Sequence, residues 1–267
     1  MLLRRIGNKR GIADDVVKHF PAHEIYIDMF FGAGGIFFNK RRATYNICND
    51  IDDDVFNLYT VLETQGAELI EAIKIMPVTD SLFQYWRRNK ESDPVRKALR
   101  FLFLSNFGYM GQPVSLRFYT CHSKKTLLKN AKKTLESLGD TKFMCEDFRR
   151  VLGKIGWLRN GAKGGAFIYA DPPYFDCGNN YADSFTAADV ADLFDVLTGS
   201  GIRFAMSEFD NPTVLELAAR HGLEVVEIGE RRTLENRRKE ILILNYQSPA
   251  LNTLFSGAAR GIENATV

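Results

Sequence analysis

No stretch of the 267-residue sequence approaches the roughly 20 apolar residues that a membrane-spanning helix needs. The opening residues Met1-Leu2-Leu3-Arg4-Arg5-Ile6-Gly7 turn polar before a secretory apolar region can develop, so no signal peptide is read and the cytoplasm is the expected location. Cysteine is scarce. Cys48, Cys121, Cys145 and Cys177 lie far apart and form no C-x-x-C pair, which argues against a zinc site and a disulfide framework and leaves four free thiols. Histidine is equally sparse. His19 and His23 have the i, i+4 spacing of a metal pair, but Pro21 between them disfavours a continuous helix. They are expected as ordinary surface or loop residues, and no metal site is expected. An excess of one charge is also missing: a net +2 diagnoses no nucleic-acid partner, because clustering matters more than the total.

Present instead is a composition close to the globular average, 45% hydrophobic and 25% charged, which favours neither disorder nor a membrane class. The length suits one large α/β domain with an inserted module, or two modest domains. Basic clusters do occur: Lys124, Lys125, Lys129, Lys132 and Lys133; Arg87, Arg88 and Lys90; and Arg231, Arg232, Arg237, Arg238 and Lys239. Each reads as a solvated face at least as readily as a phosphate-binding one.

Apolar, β-rich runs alternate with helical periodicity. Residues 25–31 read as a short buried strand, 32–35 as a turn into a helix carrying Ile36, Phe37 and Phe38, and 45–48 as a second strand. Residues 52–138 are almost wholly helical in pattern, broken at Pro77, Pro94 and 108–113, and form the candidate insertion. Strand signals return at 142–145, 166–170, 202–206, 223–228 and 240–246, with helices near 147–158, 187–197 and 213–221. Such alternation implies crossover units and a mostly parallel sheet covered on both faces. The connection over 229–239 has little helical periodicity, so the last two strands are expected as an antiparallel hairpin. The polar, small residues from about 248 are expected to fray.

In an open α/β sheet, ligands occupy the crevice at the carboxyl ends of the strands. Three segments fall there. In Asp28-Met29-Phe30-Phe31-Gly32-Ala33-Gly34-Gly35, glycines after a strand allow a tight turn and close approach to a ligand. Asp50, after the second strand, is an acid suited to both hydroxyls of a ribose. In Tyr169-Ala170-Asp171-Pro172-Pro173-Tyr174, both Asp171 and Pro172 precede a proline, which stiffens the loop and holds a carboxylate at a strand terminus. The Asp171 carboxylate and the Pro172 carbonyl are acceptors suited to the two hydrogens of an amino group, and Tyr174 offers a face for a base. A surface turn would account for Asp-Pro, but not for its place after the buried run 167–170 beside the glycine turn and Asp50.

With these motifs the chain resembles the Dam-like, alpha-type adenine-specific DNA methyltransferases over roughly residues 4–246. Gly7-Asn8-Lys9 is similar to the family's N-terminal element, whose lysine serves the cofactor. Asp28, Phe30, Gly32 and Gly34 match its acidic-x-Phe-x-Gly-x-Gly motif, and Asn49-Asp50 its ribose-binding acid. Asp147-Phe148 matches the element bordering the cofactor's adenine ring, Asp171 to Tyr174 match the catalytic tetrad, and Ser207 with Asp210-Asn211 is similar to the element after the fifth strand. There are departures. Arg5 stands where many members carry an aromatic residue against the cofactor, and Asp28 stands where many carry Glu. Residues 105–111 are similar to the family's stretch in the insertion, but 112–122 look shorter than its base-reading hairpin.

The resemblance implies a mostly parallel, seven-stranded Rossmann-like methyltransferase sheet with an antiparallel terminal hairpin and a helical inserted target-recognition domain. The boundaries would be 1–53 with 139–247 for the catalytic domain, 54–138 for the insertion and 248–267 for the tail. It implies S-adenosylmethionine as cofactor and double-stranded DNA as partner, with a cognate restriction endonuclease left open. The reaction would be methylation of the adenine N6 amine, flipped out of the duplex, by Asp171, Pro172 and Tyr174. Arg5, Lys9, Asp28, Phe30, Gly32, Gly34, Asp50, Asp147, Phe148 and Asp171 are the expected cofactor-binding residues. Asn106, Tyr109, Gln112, Ser115, Arg117, Lys124 and Lys125 are the expected DNA-binding residues. Rival readings are a cytosine-N4 methyltransferase, which uses the same geometry; a catalytically inert DNA-binding module; and a nicotinamide-dependent oxidoreductase, whose G-x-G-x-x-G spacing is missing here.

Overall fold

The computed structural model describes residues 2–5, 7–118, 123–157, 163–175, 185–232 and 237–250. Among the described residues, seven strands form one sheet: β1 (Ile25–Asp28), β2 (Tyr45–Asn49), β3 (Thr141–Met144), β4 (Ala166–Ala170), β5 (Arg203–Phe209), β6 (Glu224–Arg232) and β7 (Arg237–Leu244). Their order is β3-β2-β1-β4-β5-β7-β6, and the first five are parallel. β7 runs antiparallel to both β5 and β6, as expected of the terminal hairpin. Physically, the few residues between Arg232 and Arg237 leave no room for a crossover, so the chain must reverse.

Every residue of β4 is buried, because the central strand is covered on both faces. Alternate residues serve separate cores. Tyr26, Phe167 and Tyr169 face one, while Ile27, Ala166, Ile168 and Ala170 face the other. The first core is completed by helices α2 (Asp53–Ile75), α3 (Asp80–Arg88), α4 (Pro94–Phe107) and α5 (Lys124–Leu138). Residues 54–138 therefore share their core with the sheet. The second core is closed by α6 (Phe148–Val151), α7 (Ala187–Gly199) and α8 (Pro212–Arg220), following a short first helix, α1 (Ala13–Val17), on the other face. Helix starts follow the sequence closely: Asp52, Thr79, Asp93, Ser123, Thr186 and Asn211 each cap a helix through the side chain. Among the described residues no helix is long and apolar enough to cross a membrane.

Several expectations are corrected. No helix follows the glycine turn: residues 35–39 are turns, with the N–H groups of Asn39 and Lys40 both donating to the Ile36 carbonyl. Gly35 is closely packed there, since an added Cβ would lie 2.6 Å from Asn8 Oδ1 and 3.1 Å from the Lys9 nitrogen. The helix expected over 147–158 is only α6 plus a 3-10 turn, Leu152–Lys154, in a segment containing Gly153 and Gly156. His19 is buried rather than superficial, its Nδ1 lying 2.6 Å from Ser248 Oγ. Ser248 is buried too, so the chain is still anchored where fraying was expected to begin. The tail from 251, Cys121, Cys177 and loop residues 119–122 lie outside the described residues, whereas Cys48 and Cys145 are free thiols.

Candidate active site

The strand order reverses direction of growth between β1 and β4, and the carboxyl ends of these neighbours open a crevice there. Asp28 closes β1, Asp50 follows β2, and Asp171 follows β4. A cavity of about 610 Å³ occupies the crevice, and its lining includes Arg5, Lys9, Asp28, Phe30, Gly32, Asp50, Asp147, Phe148 and Asp171. These sequence-distant residues are brought together by the sheet. Gly34 is not in the lining. It shapes the wall from behind: its φ of 69° is left-handed, and a Cβ there would fall 2.9 Å or less from Phe31 and Phe38.

Backbone and acid define the turn jointly. Gly32, at φ 54°, donates its N–H to Asp50 Oδ2 at 2.6 Å, while Asp50 Oδ1 accepts from the Asp52 N–H at 2.9 Å. Burial pushes the Asp50 carboxyl up from the ordinary range, and these two hydrogen bonds oppose the shift. Asp28 is more enclosed. Burial pushes it up to about 7, against the hydrogen bond that Tyr26 donates to its Oδ2 at 2.9 Å. Its other oxygen, Oδ1, is buried with no partner among the described residues. An orphaned carboxylate oxygen in a cavity wall is costly unless a ligand donor reaches it, and a cationic amine is the complement its charge calls for.

One wall is aromatic. Phe30, Phe148 and Phe185 meet with ring centroids 5.7, 6.1 and 5.8 Å apart, and Asp147 caps α6 through the N–H of Arg149. Arg149 in turn reaches Asp189 and Asp192 on α7, tying the two helices at the cavity mouth. A glycine cradle, acids at the strand ends, an orphaned carboxylate oxygen and an aromatic wall together fit an adenosyl group that also bears a cationic amino-acid end.

The N-terminal segment is held by the end of α4. Ser105 Oγ accepts from the Arg4 N–H at 2.9 Å and donates to the Arg4 carbonyl at 2.8 Å, while the Asn106 amide donates to the Leu2 and Leu102 carbonyls. Asn106 is thus buried and committed to the fold, which removes it from the expected DNA-binding set. The docked segment delivers Arg5 to Asp52 at 2.8 Å and Lys9 to the loop of Asp171 to Tyr174. Lys9 Nζ lies 3.3 Å from Asp171 Oδ1, and also donates to the Tyr174 hydroxyl and to Glu240. Tyr174 packs edge-on against Phe209 at 4.6 Å, and burial raises its phenol well above the usual range. Pro172 is buried.

Sequence reasoning missed Glu208, Glu240, Tyr169 and Phe185. Glu208, buried on β5, accepts the Phe175 N–H at 3.3 Å and the Phe209 N–H at 2.8 Å; burial pushes its carboxyl up to about 8. A signal existed: each acid interrupts or borders an apolar strand run, where a solvated charge is not expected.

The remaining DNA candidates lie on one stretch. Gly108 pairs with Leu116 as an isolated antiparallel bridge, and the loop between exposes Tyr109, Met110 and Val114. The Arg117 guanidinium lies 5.1 Å over the Tyr109 ring, with Gln112 and Ser115 half-buried beside them in the chain. Lys125, Lys129, Lys132 and Lys133 are exposed on α5. Lys124 differs: its Nζ donates to the Lys74 and Met76 carbonyls at the end of α2, at 2.7 and 3.2 Å, so it serves as a cap rather than an available phosphate ligand.

A model of the family described as D12 class N6 adenine-specific DNA methyltransferase matches residues 6–233. The chain is 26% identical over 260 residues to the DNA adenine methylase of Escherichia coli (strain K12), covering 88% of each chain. It is 26% identical over 281 residues to that of Salmonella typhi, covering 94% of this chain and 96% of the relative. To that of Vibrio cholerae serotype O1 (strain ATCC 39315 / El Tor Inaba N16961) it is 25% identical over 265 residues, covering 91% and 94%.

Proposed function

The chain belongs to the D12 class N6 adenine-specific DNA methyltransferases, and from this premise we propose that the crevice between β1 and β4 binds S-adenosylmethionine beside an adenine turned out of double-stranded DNA. The observation that carries the reading is that Asp171 lines the same cavity as Asp28, Asp50 and the glycine turn. Asp50 suits the ribose hydroxyls, the orphaned Asp28 oxygen an ammonium, and Phe30 and Phe148 the faces of a purine. When bound, S-adenosylmethionine supplies an electrophilic methyl group on a sulfonium.

The adenine amine is a poor nucleophile because its lone pair is delocalised into the ring. Asp171 and the Pro172 carbonyl accept its two N–H bonds, which draws the nitrogen towards tetrahedral geometry and frees the lone pair for attack. With the methyl donor bound, the amine nitrogen would take the methyl group as the donor's bond to it breaks, and the Asp171 carboxylate would take up the amine proton released and pass it to solvent. Flipping costs about a few kcal/mol, offset by stacking on an aromatic face such as Tyr174 and by contacts in the pocket. Holding both reactants at one strand end lowers the barrier further, by about 7–11 kcal/mol in favourable systems. Residues 54–138 form the target-recognition region in this reading, with the 108–118 loop towards the bases and the exposed α5 lysines towards phosphates.

The test is to incubate the protein with methyl-labelled S-adenosylmethionine and duplex DNA, digest the DNA, and separate the nucleosides. Label in N6-methyladenine is the expected result. Label in N4-methylcytosine, or none in DNA, overturns the assignment.

A further inference from the structure

Glu240 has no part in the reaction as derived above, yet it lies only 4% exposed against the catalytic loop. On β7 it pairs across the sheet with Phe209 of β5, whose ring meets Tyr174. A single oxygen, Oε1, accepts from both the Lys9 ammonium and the Tyr174 hydroxyl, the latter at 2.7 Å. The same ammonium lies 3.3 Å from Asp171 Oδ1 and 4.0 Å from the centre of the Tyr174 ring. Lys9 is itself 4% exposed, and it forms part of the wall between the large cavity and a second one of about 220 Å³, which Glu240 also lines. Two carboxylates therefore share one buried cation, with Glu240 the nearer.

This sharing bears on the chemistry. An ammonium centred on Asp171 would engage the carboxylate that must accept an N–H of the amine, and in a buried site that attraction is weakly screened. A second carboxylate on the far side of the ammonium opposes it. We propose that Glu240 is a positioning residue for methyl transfer, which draws Lys9 off Asp171 and fixes the Tyr174 hydroxyl, so that Asp171 keeps acceptor capacity for the amine and the Tyr174 ring stands at a set angle. The proposal rests on Asp171 being the acceptor of the amine.

The variant Glu240→Gln keeps the shape and removes the charge that competes for Lys9. Its kcat is expected to fall about tenfold or more, while KM for S-adenosylmethionine stays within about twofold of the unaltered enzyme, as for coupled neighbours acting on one step. In a Lys9→Met background no ammonium is left to collapse onto Asp171, so adding Glu240→Gln is expected to cost no further kcat. A merely structural glutamate would lower kcat by the same factor in both backgrounds, and that result overturns the proposal, as does unchanged kcat in Glu240→Gln. If Glu240→Gln alone fails to fold, as judged by its melting transition, Lys9→Met and the charge-neutral Lys9→Met/Glu240→Gln pair are compared: equal kcat supports the proposal and a further loss overturns it. An unaltered enzyme that moves no methyl to adenine overturns both this proposal and the reading beneath it, whereas an active one with the contrary variant results overturns only this proposal.

Discussion

Gly32 and Asp50, separated by 18 positions, are joined by a 2.6 Å hydrogen bond in which the turn's N–H donates to the acid's Oδ2. One carboxylate thus shapes the glycine turn while lining the cavity with it. Asp50→Ala removes both functions. Hydrogen bonds to a charged group contribute about 1.5–3 kcal/mol, so the affinity for S-adenosylmethionine is expected to drop by about ten- to a hundredfold. Calorimetric titration with the cofactor alone checks this, and the affinity for DNA should stay near its original value.

Asp28 predicts how cofactor binding depends on pH. Its carboxyl is pushed up to about 7 by burial, so it is largely protonated at pH 6 and largely ionised at pH 8. Pairing with an ammonium requires the ionised form, so S-adenosylmethionine should bind more tightly at pH 8 than at pH 6, and Asp28→Asn should flatten that dependence. Stability moves the opposite way. Asp28 and Glu208 both have folded-state values above their ordinary ones, about 7 and about 8, so the folded state holds protons the unfolded state gives up. Their contribution is present at low pH and is lost as pH rises through about 7 to 8. The melting temperature of the cofactor-free protein should therefore fall less between pH 6 and pH 9 in Glu208→Gln than in the unaltered chain.

Asp171→Ala should cripple methyl transfer while the fold survives, since the side chain is partly exposed at 19% and packs in neither core. By analogy with removing one preorganised polar contact, the expected loss in kcat is about a hundred- to a thousandfold. Turnover on duplex DNA with a parallel melting curve separates the two effects. Near-normal turnover would remove the tetrad from the mechanism.

The parallel sheet, its terminal hairpin and the helical stretch before β3 were legible because buried parallel strands read as apolar runs and helices as apolar periodicity, while the caps at Asp93-Pro94 and Asn211-Pro212 went unread. Asp28, Asp50 and Asp171 were legible because each stands at or just after a strand end, where an open α/β sheet gathers its ligands. What stayed hidden depends on contacts between distant segments. Nothing local announces that Gly35 abuts the backbone of Lys9, or that turns stand where a helix was expected. Nor does the sequence around Asn106 reveal that its amide holds Leu2. Glu240 shows the same limit, since its partners lie 231 and 66 positions away.

Asn106→Ala follows from that point. The substitution leaves the Leu2 carbonyl, buried under the helix end, without its donor, at a cost of about 1–3 kcal/mol. A melting temperature lowered by several degrees, with the same adenines methylated, is expected. A change of target sequence at unaltered stability would return Asn106 to the DNA interface.

The 108–118 loop and the α5 lysines should fail differently when altered, because phosphate contacts position a protein and base contacts specify its site. Lys125 and Lys129 are exposed, and replacing both with Ala should weaken binding to all duplexes alike. It should also flatten the dependence of log K on log salt by up to about 0.9 per lost phosphate contact. Lys124→Ala should behave otherwise, lowering the melting temperature through the uncapped Lys74 and Met76 carbonyls while leaving the salt slope alone. On the loop, Gln112, Ser115 and Arg117 carry the polar groups that can reach base edges, and Arg117 is already oriented over the Tyr109 ring. Substitutions there should change which adenines are methylated, read by sequencing for modified bases in DNA from a host expressing each variant. An unchanged salt slope in the double lysine variant, together with unchanged methylation patterns in the loop variants, would move the recognition surface elsewhere, and the strand pair carrying Arg238 and Lys239 would be examined next.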